Sequence, residues 1–122
     1  MPRIIHFELP ADNPERAVKF YGDVFGWQFN KLGGPMEYWL VSTGAKDTPG
    51  IDGGLLKRPH PGASTVNTID VANLDQYVAS VEAKGGKVVA PKMAVPGVGW
   101  LAYCVDTEGN TFGMMQMDAA AK

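Results

Sequence analysis

The feature that most restricts the fold of this chain is an internal repeat with a period near sixty residues. Sliding the sequence on itself by sixty positions places Asn13 on Asn73, Val18 on Val78 and Gly26 on Gly86. Trp39-Leu40 meets Trp100-Leu101 at an offset of sixty-one, and Gly50, Gly54 and Leu55 meet Gly109, Gly113 and Met114 at fifty-nine. Identities are few, but helix, turns and strand pairs return in one order, which is what a duplicated supersecondary unit leaves behind. A chain of 122 residues has room for one domain, so the two copies must build it together.

Each copy opens with a short strand and then a capped helix. Asn13-Pro14-Glu15 supplies a capping side chain, a proline suited to the first helical position and an acid beside free N–H groups. Ala17, Val18, Tyr21, Val24 and Phe25 follow at helical spacing until Gly26, which predicts a helix over 14–25. After Asn73, Leu74, Tyr77, Val78 and Val81 repeat the pattern until Gly85-Gly86, which predicts a second helix over 74–84. Strands are expected over 3–9, 27–30, 36–42 and 53–57 in one copy, and over 64–71, 87–89, 100–105 and 111–117 in the other. Asp106-Thr107-Glu108-Gly109-Asn110 reads as the last hairpin loop, with Gly and Asn where positive φ is cheap. The expected fold is α+β, a single domain over 1–122 made of two βαβββ modules, 3–57 and 64–117, joined by the linker 58–63. Together they should form a curved mixed sheet around a concave cavity.

Composition narrows the function classes. Eleven basic against thirteen acidic residues leave a formal charge of -2, so no bulk basic face exists for nucleic acid or an anionic membrane. The N-terminal Met1-Pro2-Arg3-Ile4-Ile5-His6-Phe7-Glu8 carries no signal-peptide apolar stretch, and no apolar run approaches a membrane span. The single cysteine, Cys104, cannot form an internal disulfide. A cytoplasmic protein is expected.

The run His6-Phe7-Glu8-Leu9-Pro10-Ala11-Asp12-Asn13-Pro14-Glu15-Arg16-Ala17-Val18-Lys19-Phe20-Tyr21, with Val24-Phe25-Gly26-Trp27 after it, resembles the opening of the glyoxalase/bleomycin-resistance/extradiol-dioxygenase group, the vicinal oxygen chelate superfamily. Asp106-Thr107-Glu108-Gly109-Asn110-Thr111-Phe112-Gly113 is similar to that group's closing hairpin. The resemblance spans about residues 3 to 117 and implies the paired βαβββ fold. It also implies a divalent metal held from the first and last strand of each module in the enzymatic members. Those places here are His6, Gly54, Val66 and Gly113. Glycine and valine offer no donor, and a lone imidazole holds a metal weakly and without selectivity.

The candidate ligand-binding residues are therefore His6, Glu8, Gly54, Val66, Trp100, Gly113 and Met115, with no metal ligand and no assigned catalytic residue. Alternation puts Ile4, His6 and Glu8 on one strand face, opposite Ile5 and Phe7. The bland alternative for His6 is an inherited histidine that only hydrogen-bonds within the fold. An inward carboxylate is costly unless paired or solvated, which makes Glu8 the preferred polar contact. Loss of side chains at Gly54 and Gly113 should enlarge the hollow. Trp39, Trp100, Tyr38, Tyr103, Met114 and Met115 could line an apolar pocket or could simply be core. The function expected is binding of a small, partly apolar organic molecule without a cofactor, by a homodimer. The alternative is a metal-dependent lyase, isomerase or dioxygenase, with a divalent ion held weakly by His6 and Glu8. Whether any reaction is catalysed stays open.

Overall fold

The computed structural model describes residues 2–122. Eight strands and two helices follow one another as β1 (Ile4–Ala11), α1 (Pro14–Phe25), β2 (Gln28–Lys31), β3 (Tyr38–Ser42), β4 (Gly53–Lys57), β5 (Val66–Asp70), α2 (Leu74–Ala83), β6 (Lys87–Val95), β7 (Gly99–Val105) and β8 (Thr111–Met117). This is the expected βαβββ order written twice. The chain divides into two compact units, His6–Thr65 and residues 2–5 with Val66–Lys122, so the first few residues belong with the second copy. Arg3 accepts there from the backbone N–H of Asp70 at 2.8 Å. No helix among the described residues is long and apolar enough to cross a membrane.

In the first unit the strands lie in the order β2-β3-β4-β1, with β1 and β4 parallel and the other pairs antiparallel. Helix α1 starts where Asn13 Oδ1 accepts from the N–H of Arg16 at 3.1 Å. It stops at Gly26, whose φ of 74° is inexpensive only for glycine. Ala17, Val18 and Tyr21 pack with Phe7, Leu9, Ala11, Trp39, Val41 and Leu55 into a core on one face of the sheet. Val24 and Phe25, expected on that buried stripe, are 56% and 59% exposed. They lie on the last turn, and the Phe25 ring leans on Trp27 at 5.6 Å between centroids.

The second unit repeats the arrangement as β5-β8-β7-β6. Asn73 caps α2 as Asn13 caps α1, accepting from Gln76 N–H at 3.1 Å, and the side chain of Gln116 accepts from Leu74 N–H at 2.8 Å. The core joins Val71, Leu74, Ala102, Cys104 and Met114, with Trp100 packed against it. The repeat extends to the decoration of the two tryptophans, since Lys31 lies 5.1 Å from the Trp39 ring and Lys92 5.1 Å from the Trp100 ring.

Several strand boundaries shift from expectation, and two of the shifts fall at prolines. β1 runs through Pro10 to Ala11, and β6 continues past Val89 to Val95 with register shifts on either side of Ala90. Pro91 falls in the irregular stretch before Met93, at an edge strand where its missing N–H breaks no regular ladder. β3 begins only at Tyr38, because residues 32–37 form an exposed loop. In the last hairpin Gly109 has φ 86° whereas Asn110 does not enter the positive region. Asp106 instead accepts from the N–H groups of Asn110 and Glu108, and these bonds, Asn110's first, hold its carboxyl below the ordinary range.

Candidate functional site

Alternation along β1 separates its side chains as expected. Phe7 and Leu9 join the α1 core, while His6 and Glu8 lie on the other face and meet on one atom, the phenol oxygen of Tyr38. His6 Nε2 is 3.1 Å from Tyr38 Oη, and Tyr38 donates to Glu8 Oε2 at 3.0 Å. With the phenol proton directed at the carboxylate, the imidazole places an Nε2–H toward the phenol oxygen. All three side chains are half-buried.

Tyr38 reaches this point because β3 pairs with β4, which pairs with β1. Leu40 faces Gly54, Tyr38 faces Leu56, and Gly54 faces Glu8 in the parallel register. A Cβ built on Gly54 would lie 1.8 Å from Tyr38 Oη and 2.2 Å from its Cζ. The expectation that Gly54 leaves empty space is therefore corrected: the tyrosine ring fills that space, since a glycine is the one residue over which it can lie. Leu40 and Leu56 share the face by parity and supply apolar surface beside the polar triad.

In the second unit Val66, Gly113 and Met115 share the face away from α2, by alternation with Asn67, Met114 and Phe112. Gly113 is closely surrounded there, its notional Cβ falling 3.0 Å from Thr68 Oγ1, 3.4 Å from the Tyr103 ring and 3.5 Å from Leu101. Trp100 does not join them. It points to the α2 core, and its indole N–H donates to Asp118 at 3.0 Å, holding that carboxyl low. Trp39 and Met114 are likewise core residues, because their strand positions have the parity of the helix side. Cys104 is fully buried in the α2 core, where burial first and Glu82 second push its thiol up, an inert arrangement.

Sequence reasoning offered Tyr38 only as possible apolar lining or core and missed its polar role between His6 and Glu8. Its signal was present, since parity sets it opposite Trp39 and Val41 and near a glycine two strand positions away on the neighbouring strand. That register becomes visible only once β3 and β4 are paired.

Burial lowers the proton affinity of His6, against the opposing pull of Glu8 and then Asp52. The unfolded chain takes up this proton near pH 6.5 and the folded chain only at lower pH. Between those points the unfolded state binds more protons, so His6 subtracts stability as pH falls below about 6.5 and subtracts none above it. Urea denaturation at about pH 7.5 and 5.5 should show a smaller acid-side loss for His6→Gln than for the parent. Equal losses in the two proteins would rule out His6 as the source.

The residues do not fit a divalent metal. Among the described residues no group of three or more His, Cys, Asp or Glu side chains is placed to hold an ion. His6 and Glu8 already share Tyr38, and Gly54 brings no donor. A groove of about 560 Å³ lies elsewhere in the first unit, lined by Leu9, Ala11, Ala17, Phe20, Tyr21 and Arg58 among others and by none of the triad.

The profile described as "Bleomycin resistance protein-like N-terminal" matches residues 3–44. A glyoxylase-like domain-containing protein of Didymella fabae is 32% identical over 116 residues, covering 89% of both chains. A Mycobacterium bovis protein bearing the name glyoxylase CFP32 is 27% identical over 93% of this chain, which spans 43% of that protein's length. Among solved structures, a variant of Streptomyces coelicolor methylmalonyl-CoA epimerase in complex with 2-nitronate-propionyl-CoA aligns over 98% of this chain and 97% of its own, with a TM-score of 0.70 at 16% identity. A hypothetical protein of Bacillus halodurans aligns over 99% and 98%, with a TM-score of 0.72 at 11% identity. At these identities the structural likenesses are of fold.

Proposed function

This chain belongs to the glyoxalase-like domain family of the vicinal oxygen chelate superfamily, and on that footing we propose that it binds a small, partly apolar organic molecule without a metal. The His6–Tyr38–Glu8 triad carries this reading. A carboxylate oriented by a phenol, beside a neutral imidazole and the apolar flanks Leu40 and Leu56, suits a ligand with an ammonium or hydroxyl group on an apolar body. An acid in the same place would face the Glu8 charge.

Three probes of one shape test the charge preference: phenethylamine, phenethyl alcohol and phenylacetate. Ligand-detected NMR should rank the amine first and the acid last. Glu8→Gln should weaken the amine by about 1–3 kcal/mol, the usual effect of losing a charge-assisted hydrogen bond. Equal binding of the amine by parent and Glu8→Gln would place the functional surface elsewhere. The homodimer remains part of the proposal, supported by the exposed Phe20, Val24 and Phe25 on α1, and sedimentation at micromolar concentration reads it directly.

A further inference from the structure

We propose that Tyr38 is the specificity-determining residue of this site, the group that commits it to hydrogen bonding and closes it to divalent cations. The inference rests on the small-molecule reading above, but its evidence is steric. Residue 54 stands beside Glu8 in the β1–β4 register, so a donor side chain there would converge with Glu8 and His6. The Tyr38 phenol occupies that same volume, with 1.8 Å between its oxygen and the notional Cβ of residue 54. A donor at 54 and the ring of Tyr38 therefore exclude one another. The ring's presence also directs His6 Nε2 and Glu8 Oε2 onto a phenol hydroxyl, a weak ligand for a divalent ion. Gly54 and Tyr38 act as one exchange: where a coordinating side chain would stand, the chain has a hydroxyl that donates and accepts.

The consequence is that the cation site should return when the exchange is reversed. Ni²⁺ alone is the probe, because it takes imidazole and carboxylate donors together, and calorimetric titration of the full chain is the readout. The parent should bind Ni²⁺ weakly, and Tyr38→Phe, which releases His6 and Glu8 from the hydroxyl but keeps the ring in place, at most about twofold more tightly. Tyr38→Ala, which uncovers His6 and Glu8, should bind it roughly threefold more tightly than Tyr38→Phe, and Tyr38→Ala with Gly54→Glu, which adds a third donor, at least about tenfold more tightly than the parent, at one ion per chain. Circular dichroism establishes that each variant is folded.

A parent that takes one Ni²⁺ per chain as tightly as the double variant would overturn the proposal. So would a folded double variant that binds no better than the parent. Should the double variant fail to fold, Tyr38→Ala against Tyr38→Phe decides, and equality of those two overturns it. No organic ligand enters this titration, so failure of the phenethylamine series would sink the small-molecule reading while leaving the Ni²⁺ result standing on its own.

Discussion

Gly53→Ala is expected to destabilise the protein by about 3 kcal/mol or more, at the upper end of overpacking effects. Gly53 pairs with Phe7 in the parallel β1–β4 ladder and is buried. A Cβ there would lie 2.4 Å from the Phe7 carbonyl oxygen and 2.6 and 2.7 Å from two carbons of its ring. The nearest atom is backbone, so relief requires the two strands to part. Parting them also disturbs Phe7, which packs in the α1 core with its ring 6.1 Å from that of Trp27. The melting midpoint should fall by roughly 10 °C, and urea denaturation should show the same loss. A Gly53→Ala protein within about 1 kcal/mol of the parent would mean that the Phe7–Gly53 pairing is not as described.

Gly54→Ala should do the opposite, leaving the fold near parental stability while dismantling the site. The atoms in the way of its Cβ belong to the far end of Tyr38, which can turn about its own χ angles and leave the strands where they are. Once the ring swings away, Glu8 loses its phenol donor and His6 its acceptor, although neither residue has changed. Phenethylamine binding is expected to fall about tenfold, within the range expected of Glu8→Gln, with a stability change below about 1 kcal/mol. If Gly54→Ala binds the amine as the parent does, Tyr38 does not organise the carboxylate. The contrast between adjacent glycines is informative because their environments differ in kind: one faces backbone, the other a rotatable side chain.

Much of this arrangement is legible before any pairing is known. Asn13 and Asn73 each lead a helix whose first free N–H groups need an acceptor, and each supplies one. Gly26 ends α1 because few other residues tolerate its dihedral angles. The alternation of Phe7 and Leu9 with His6 and Glu8 already separates core from polar face. Trp100 misleads because a tryptophan on a strand suits either face, and only its parity with Ala102 and Cys104 assigns it to the α2 core. Pro91 misleads because proline usually ends a strand, whereas an irregular edge tolerates it.

By itself, then, the sequence determined the duplicated βαβββ order, both helices and the composition of the polar face on β1, because caps, periodicity and alternation act between residues close in the chain. Tertiary structure alone decided which side chains meet on that face. The site depends on Tyr38 reaching across β4 to residues more than two dozen positions earlier in the chain, and on Gly54 lying beneath its ring. Local propensity carries no information about such an encounter. It arises when strand register sets a residue without a side chain under a phenol that bridges an imidazole and a carboxylate, and register is a property of paired strands.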